Sequence, residues 1–351
     1  MNALDMLRKA VADKASDIFV VAGRPASYRL HGKLVMMNDE RLMPDATKML
    51  VEEIYTLAGR DKSHLETCGD DDFAIAVPQL SRFRVNTFMQ RGSYSAVIRV
   101  ITFTLPDPKE LMIPEHIMSL SSLRKGLVLI TGPAGSGKST TMACIIDRIN
   151  QTYEKHIITL EDPVEFLHRH NKSIITQREI SVDTESYVKA LRAALRQSPD
   201  VILLGEMRDY ETINVAMTAA ETGHLLFSSL HTIGAANTID RIIDVFPANQ
   251  QRQIAVQLSM VLDSVISQQL VPSVTGEHIP VFEIMTVTPA IRNMIRDNKV
   301  AQIEGLLYSS ARPDMISMDQ SLLNLYKERR ISKDTALLYA TNPDMLEKKL
   351  N

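Results

Sequence analysis

The chain has 351 residues, 45% of them hydrophobic and 23% charged, with a formal net charge of −3, a composition ordinary for a soluble protein of about two domains. That charge gives no sign of bulk electrostatic attraction to nucleic acid or an anionic bilayer, and an aromatic content of 5% without Trp argues against a base-stacking surface. Cys68 and Cys144 are too far apart in sequence for a zinc knuckle or a disulfide scaffold, and no apolar run approaches the ~20 residues that span a bilayer, so a reducing cytoplasm is expected, with membrane association only through partners.

Residues 1–105 read as a small α+β domain. Leu4, Leu7 and Val11 share one face of a short helix. Asp17–Val21 reads as a strand, and Ser27–Leu30 and Lys33–Met36 flank a turn at His31-Gly32. A helix carrying Met49, Ile54 and Leu57 follows. Strands are then expected at Asp72–Val77, Arg82–Met89 and Ser95–Ile101, with the alternation of a half-buried antiparallel sheet. Pro106, Pro108 and Pro114 mark residues 106–115 as a linker. Beyond it, a helix over 115–123 precedes the apolar strand Leu127–Ile130. Further strands are expected at Ile157–Leu160, Val201–Leu204 and Leu225–Leu230, with helices at Thr140–Asn150, Ser186–Gln197 and Glu211–Glu221, the last stopped by Gly223. This alternation argues for a mainly parallel sheet with helices on both faces. Asn249–Gln269 reads as one long helix, Val271–Glu283 as a hairpin about Thr275-Gly276, and the chain from Pro289 onward as helical.

The strand Leu127–Ile130 feeds the segment Gly132-Pro133-Ala134-Gly135-Ser136-Gly137-Lys138-Ser139 and then Thr140, in the pattern G-x-x-x-x-G-K-S. Glycines let the backbone wrap a polyphosphate without side-chain clashes, and the N–H groups of the following helix start face the anion. Lys138 can reach β- and γ-phosphates and the Ser139 hydroxyl can ligand Mg²⁺, so ATP and Mg²⁺ are the expected cofactors.

Four further groups could join this chemistry. The run Asp200–Leu204 leads through Gly205 to Glu206, whose carboxylate could hold the metal or its water, or could simply be solvated. Glu161, Asp162 and Glu165 follow another strand, and the C-terminal ends of parallel strands converge on the ligand crevice. Glu165 is the first candidate to orient or deprotonate water and Glu161 the second, against the reading of a solvated acidic loop. His224 and His231 bracket Leu225–Leu230. His231, at the crevice end, could sense the γ-phosphate, while His224 is as readily structural. Arg82, Arg84, Arg91 and Arg99 stud the strands before the linker; arginines there usually line a solvated face, but could supply a cation across a subunit boundary. In Ala290–Asp297, residues Ile291, Met294 and Ile295 form a helical face that leaves Arg292, Asn293 and Arg296 pointing elsewhere, a pattern that packing alone would explain. A phosphate loop also serves kinases and nucleic-acid motors. The lack of a dedicated lid and the Glu165/Glu206 pair count against the former, and the acidic balance against the latter.

Together these motifs resemble those of the secretion-type ATPases that power type IV pili and type II secretion, most closely the pilus-retraction or PilT-type branch. Gly132–Ser139 resembles the Walker A segment, Leu160–Glu165 the Asp box, Leu204–Asp209 the atypical Walker B with its glycine at 205, and Glu221–Thr232 the His box. Arg82–Phe88 resembles the first-domain arginine segment. Ala290–Asp297 resembles the retraction helix, usually A-I-R-N-L-I-R-E, with Met294 and Asp297 in place of Leu and Glu. The resemblance covers nearly the whole chain. It implies an α/β protein with a PAS-like domain over 1–105, a linker over 106–115, and a RecA-like ATPase domain over 116–351 ending in a helical tail. It implies a homo-hexamer with ATP between subunits, Glu165 as catalytic carboxylate, Glu206 as the Mg²⁺-side carboxylate acting through water, and Arg84 and Arg99 as finger arginines. The implied activity is ATP hydrolysis driving pilus retraction and twitching motility. The implied setting is cytoplasmic, peripheral to the inner membrane, on a pilus platform protein, with a second retraction ATPase as a further partner. An accessory retraction paralogue and an assembly ATPase are the alternatives within the family; the absence of a tetracysteine element counts against the extension type.

Overall fold

The computed structural model describes residues 1–30, 32–101, 105–310 and 312–350, so His31 of the expected turn lies outside it. Two units emerge from how densely the chain packs: Met1–Thr104 with Val164–Leu167, and Leu105–Pro163 with His168–Asn351.

In the first unit, α1 (Ala3–Ala12), β1 (Asp17–Val20), β2 (Pro25–Leu30), β3 (Lys33–Arg41), α2 (Pro44–Ala58), α3 (Ser63–Cys68), β4 (Asp70–Val77), β5 (Ser81–Gln90) and β6 (Ser93–Ile101) follow in order. The Asn2 side chain caps α1 by accepting from Asp5 N–H, and left-handed Gly59 ends α2. Among the described residues the strands form an antiparallel sheet in the order β3-β2-β1-β6-β5-β4. Alternation decides its faces. Phe83 and Val85 of β5 are buried with Ile18, Ile98 and the helix residues Met6, Leu7 and Ile54. Arg82, Arg84 and Asn86, one residue out of phase, therefore face the other way.

The second unit begins with α4 (Glu115–Ser119) and a short turn, then β7 (Gly126–Thr131), α5 (Lys138–Thr152), β8 (His156–Glu161), β9 (Ile174–Glu179), α6 (Tyr187–Ala194), β10 (Val201–Leu204), α7 (Tyr210–Glu221) and β11 (Leu225–Leu230). It continues through α8 (Ala235–Asp244), α9 (Ala248–Val261), β12 (Leu262–Pro272), β13 (His278–Thr286), α10 (Pro289–Arg296), α11 (Ala301–Ser309), β14 (Met315–Ile316), α12 (Met318–Lys327), α13 (Lys333–Tyr339) and α14 (Pro343–Leu350). The sheet order is β14-β13-β12-β7-β11-β10-β8-β9. It is parallel from β12 to β9 and antiparallel at β13 and β14. Every residue of β7, β10 and β11 is buried, as a strand covered on both faces requires. Leu127 and Leu129 face the helices α6 to α9, while Val128 and Ile130 face α5. The segment read as a linker packs into this unit, with Ile113 in its core.

Several elements differ from the sequence expectation, among them the short strand β14 within the tail read as helical and the helix α3. The helix expected over Asn249–Gln269 ends at Val261, and Leu262–Pro272 is instead the strand next to β7, pairing Leu262 with Leu127 and Ser267 with Thr131. A place at the sheet centre overrides the helical periodicity of this run. Helix α8 was not anticipated, although Ile239, Ile242 and Ile243 are spaced as one buried helical face. The polar edge strand β9 was likewise not anticipated. Among the described residues no helix is long and apolar enough to cross a membrane.

Candidate functional site

The loop after β7 is shaped by its neighbours. Gly132 has φ +138°, and a Cβ there would lie 2.0 Å from the Gln268 carbonyl oxygen and 2.9 Å from Ser136 Oγ. Gly137, at φ +88°, caps α5, and a Cβ on it would meet Gln268 Nε2 at 2.9 Å. Only glycine fits at both positions. Lys138 opens α5, is buried, and donates from Nζ to the carbonyls of Gly132 and Pro133, each at 2.9 Å. The Ser136 hydroxyl is buried without a hydrogen-bond partner. Ser139 and Thr140 are half-buried on the first turn of α5. Gln268 also accepts from Thr141 Oγ1 at 2.8 Å, so β12 braces the loop from one side. No local signal reveals Gln268, because its role depends on β12 being a strand beside β7.

Beside this loop the neighbouring strands end together. Ser229 Oγ of β11 donates to the Gly205 carbonyl at 2.7 Å, and Met207 N–H donates to Ser229 O at 3.1 Å. Gly205 sits where a Cβ would lie 2.8 Å from the Tyr187 hydroxyl and 3.2 Å from Leu160 O, which accounts for a glycine where an aspartate is commoner. Burial, reinforced by Asp162 and Glu206, pushes the Tyr187 hydroxyl well above its usual pKa. Glu206 is buried, yet both its oxygens are engaged: Oε1 pairs with Arg208, and Oε2 lies 3.1 Å from His231 Nε2. Glu161, at the end of β8, accepts from Thr159 Oγ1 at 2.6 Å and Gln177 Nε2 at 3.3 Å. A cavity of about 240 Å³ also adjoins Gly137 and Thr140, lined by Leu111, Ile113, Leu270 and Pro280. Cradle, buried lysine and orphaned hydroxyl fit a polyphosphate.

The sequence profile described as Type II/IV secretion system protein matches residues 3–279. The chain belongs to that family. It is 42% identical to the type IV pilus retraction ATPase PilT of Pseudomonas aeruginosa, over 98% of this chain and 99% of that one. It is 37% identical to the type IV pilus ATPase PilU of the same organism, over 97% of this chain and 89% of that one. A crystal structure of the pilus retraction motor PilT with bound ADP superposes with a TM-score of 0.90 at 43% identity, covering 99% of both chains.

In this secretion-family fold the sequence-predicted residues fall into four places, the last of them helix α10. The loop, Glu206, His231 and Glu161 gather at the C-terminal ends of β7, β10, β11 and β8. His224 is separated from them: it precedes β11, with Nδ1 2.9 Å from Ala219 O, a strand length of roughly 20 Å from His231. Glu165 is exposed and groups with the first unit, so the P-loop unit does not itself contain it. Arg84 and Arg99 also stand in the first unit. Arg84 Nη2 donates to Asp72 Oδ2 at 2.7 Å and Arg99 Nε to Asp17 Oδ1 at 3.1 Å. Arg82, on the same strand as Arg84, is half-buried.

Helix α10 buries Ile291 and Ile295, while Arg292 Nη1 donates to Ser259 O at 2.6 Å and Met260 O at 3.1 Å, closing the C-terminal end of α9. Arg296 donates to Asn293 Oδ1 at 2.6 Å. Sequence reasoning also passed over Glu283 of β13. It is 6% exposed and accepts from Ala235 N at 2.7 Å and Met318 N at 3.2 Å. Burial raises its pKa despite those two donors. No cluster of three His, Cys, Asp or Glu side chains able to hold a metal occurs among the described residues.

Proposed function

We propose that this chain is an ATPase motor that retracts type IV pili. The observation that supports this most is the crevice where the Gly132–Ser139 loop meets the Glu206–His231 pair at adjacent strand ends, in a chain similar along its whole length to a retraction ATPase. Lys138 would leave the two carbonyls that now accept from it and bind the β- and γ-phosphates of ATP. Backbone N–H groups of residues 134–138 and the Ser136 hydroxyl would bind phosphate oxygens, and the 240 Å³ cavity would take the base. Ser139 and Glu206, the latter through water, would hold Mg²⁺, whose charge offsets that of the phosphates.

Glu206 is poorly placed to act as a base, because Arg208 and His231 already occupy its two oxygens. It can also orient His231 by accepting from Nε2, so that a protonated ring would turn an Nδ1–H donor toward the γ-phosphate. Activation of water falls to Glu165, or to Glu161, which Thr159 and Gln177 orient. Arg84 and Arg99 would reach the phosphates of a second copy, as a homo-hexamer with ATP at the subunit boundary requires. The motor would sit in the cytoplasm against an inner-membrane pilus platform protein. It would not bind nucleic acid or insert in the bilayer.

Purified protein should hydrolyse ATP steadily, and Lys138→Ala should abolish turnover; undiminished turnover in that variant would refute the assignment. In cells, deleting the gene should give excess pili without twitching, whereas bald cells would point to assembly. The 37% likeness to PilU supports a second reading, an accessory retraction ATPase working beside another. Twitching restored by this chain alone in a strain lacking every other retraction ATPase would exclude it.

A further inference from the structure

Asp17 lies in a row of charged side chains running across the first unit's sheet. It is directly opposite Arg29 of β2 on one side and Arg99 of β6 on the other. Arg99 is in turn directly opposite Arg84 of β5. Directly opposed residues share a sheet face, so Arg29, Asp17, Arg99 and Arg84 form one line, roughly 14 Å long at the usual strand spacing. The Asp17 carboxylate takes Arg99 Nε on Oδ1 at 3.1 Å and lies 3.6 Å from Arg29 Nε through Oδ2. The Ser16 hydroxyl fixes the same Oδ2 at 2.8 Å. The Asp17 side chain is 13% exposed, whereas that of Arg99 is 72% exposed. The carboxylate is thus held in the sheet face and the guanidinium stands clear of it.

Stability does not account for this row. Exposed ion pairs contribute about 0–1 kcal/mol, and like charges set directly opposite each other, as Arg84 and Arg99 are, cost a similar amount. Arg84 has Asp72 beside it, but Arg29 and Arg99 share a single carboxylate. That leaves surplus positive charge on an open face. The contact to Asp17 uses Nε of Arg99, and with the side chain largely exposed its Nη groups are open to meet a phosphoryl group in a two-pronged fashion.

We infer that Asp17 is a positioning residue for Arg99, holding its guanidinium edge-on so that the outer nitrogens meet the phosphoryl oxygens of a nucleoside triphosphate held by a second copy of the chain, with Arg29 completing the same cationic row. The inference rests on the assignment of Arg99 as a cation acting in trans. Asp17 touches no nucleotide; it acts through Arg99 alone.

ATP turnover by the full-length protein, over a range of ATP concentrations, tests the idea. Asp17→Asn is expected to lower kcat about tenfold or more with KM little changed, since a small displacement of a charge-stabilising group is costly. Its thermal unfolding and ring assembly should stay as in the parent. The decisive comparison is the double variant: Asp17→Asn with Arg99→Ala should be no slower than Arg99→Ala alone, because the carboxylate has nothing left to position. Asp17→Glu, which keeps the charge but shifts it by one methylene, should fall between parent and Asp17→Asn, and serves if the latter folds poorly. Full turnover in both Asp17 variants while Arg99→Ala is impaired would overturn the inference and leave the trans assignment standing. Multiplying losses in the double variant would overturn it too. Normal turnover in Arg99→Ala would instead remove the assignment on which it rests.

Discussion

Around Gly132–Ser139 the chain has almost no freedom, whereas on the arginine-bearing sheet face of the first unit the charged side chains stand in the open on surface ion pairs. The phosphate loop is set by a carbonyl that would be 2.0 Å from any Cβ at Gly132, and Lys138 and Glu206 beside it are both buried. Arg99 and Arg84 depend on Asp17 and Asp72, in pairs that water can reach. The contrast fits a division of labour. Groups proposed to grip a ligand within one unit are pre-set by packing, while those proposed to meet a second molecule are kept accessible and are only aligned locally.

The largest expected effect comes from Gly132→Ala. The loop would have to move off Gln268, so nucleotide binding should be lost and unfolding should come several kcal/mol sooner, on the order of 2–4. A calorimetric titration that found ATP bound as in the parent would undo the claim of steric pre-setting. Next comes acid sensitivity of the second unit. Burial pushes His168 down to about 4, so the folded protein holds it neutral while the unfolded chain protonates it near 6.5. Stability from this group is therefore present above pH 6.5 and lost as pH falls toward 4, by up to roughly 3 kcal/mol. Thermal unfolding of His168→Gln should show a shallower decline over that window. Gln268→Leu should cost about 1–3 kcal/mol by stranding the Thr141 hydroxyl, and should weaken nucleotide binding alongside. The smallest effect belongs to the open face: Asp72→Asn should change stability by less than about 1 kcal/mol in chemical denaturation. A larger loss there would mean that the first unit's arginines are structural after all.

How legible each part was in the sequence follows from how local its cause is. The phosphate loop could be read directly, because its glycines answer to the turn they occupy and the lysine and serine follow them along the chain. Strand β5 was equally plain, since Arg82, Phe83, Arg84 and Val85 alternate with the pleat. Strand β12 was not, because Leu262–Pro272 becomes a strand only through pairing with β7, some 135 residues earlier, and its Gln268 and Gln269 are good helix formers. Gly205 could be seen as a departure from the usual aspartate, but its reason is the Tyr187 hydroxyl, which only the folded sheet brings near. The two histidines around β11 were correctly set at opposite ends of a strand, and strand direction then decides which of them faces the loop. Helix α8 was readable and was missed: Ile239, Ile242 and Ile243 are a plain helical stripe.

Glu283 has one more consequence. Its carboxylate fastens the first residue of α8, just past His231, and the first residue of α12, which opens the C-terminal helices. Pulling either helix start away would leave one oxygen of a buried acid group without its donor, a penalty of about 1–3 kcal/mol. The segment after His231 and the start of α12 are thus pinned to one peg on strand β13.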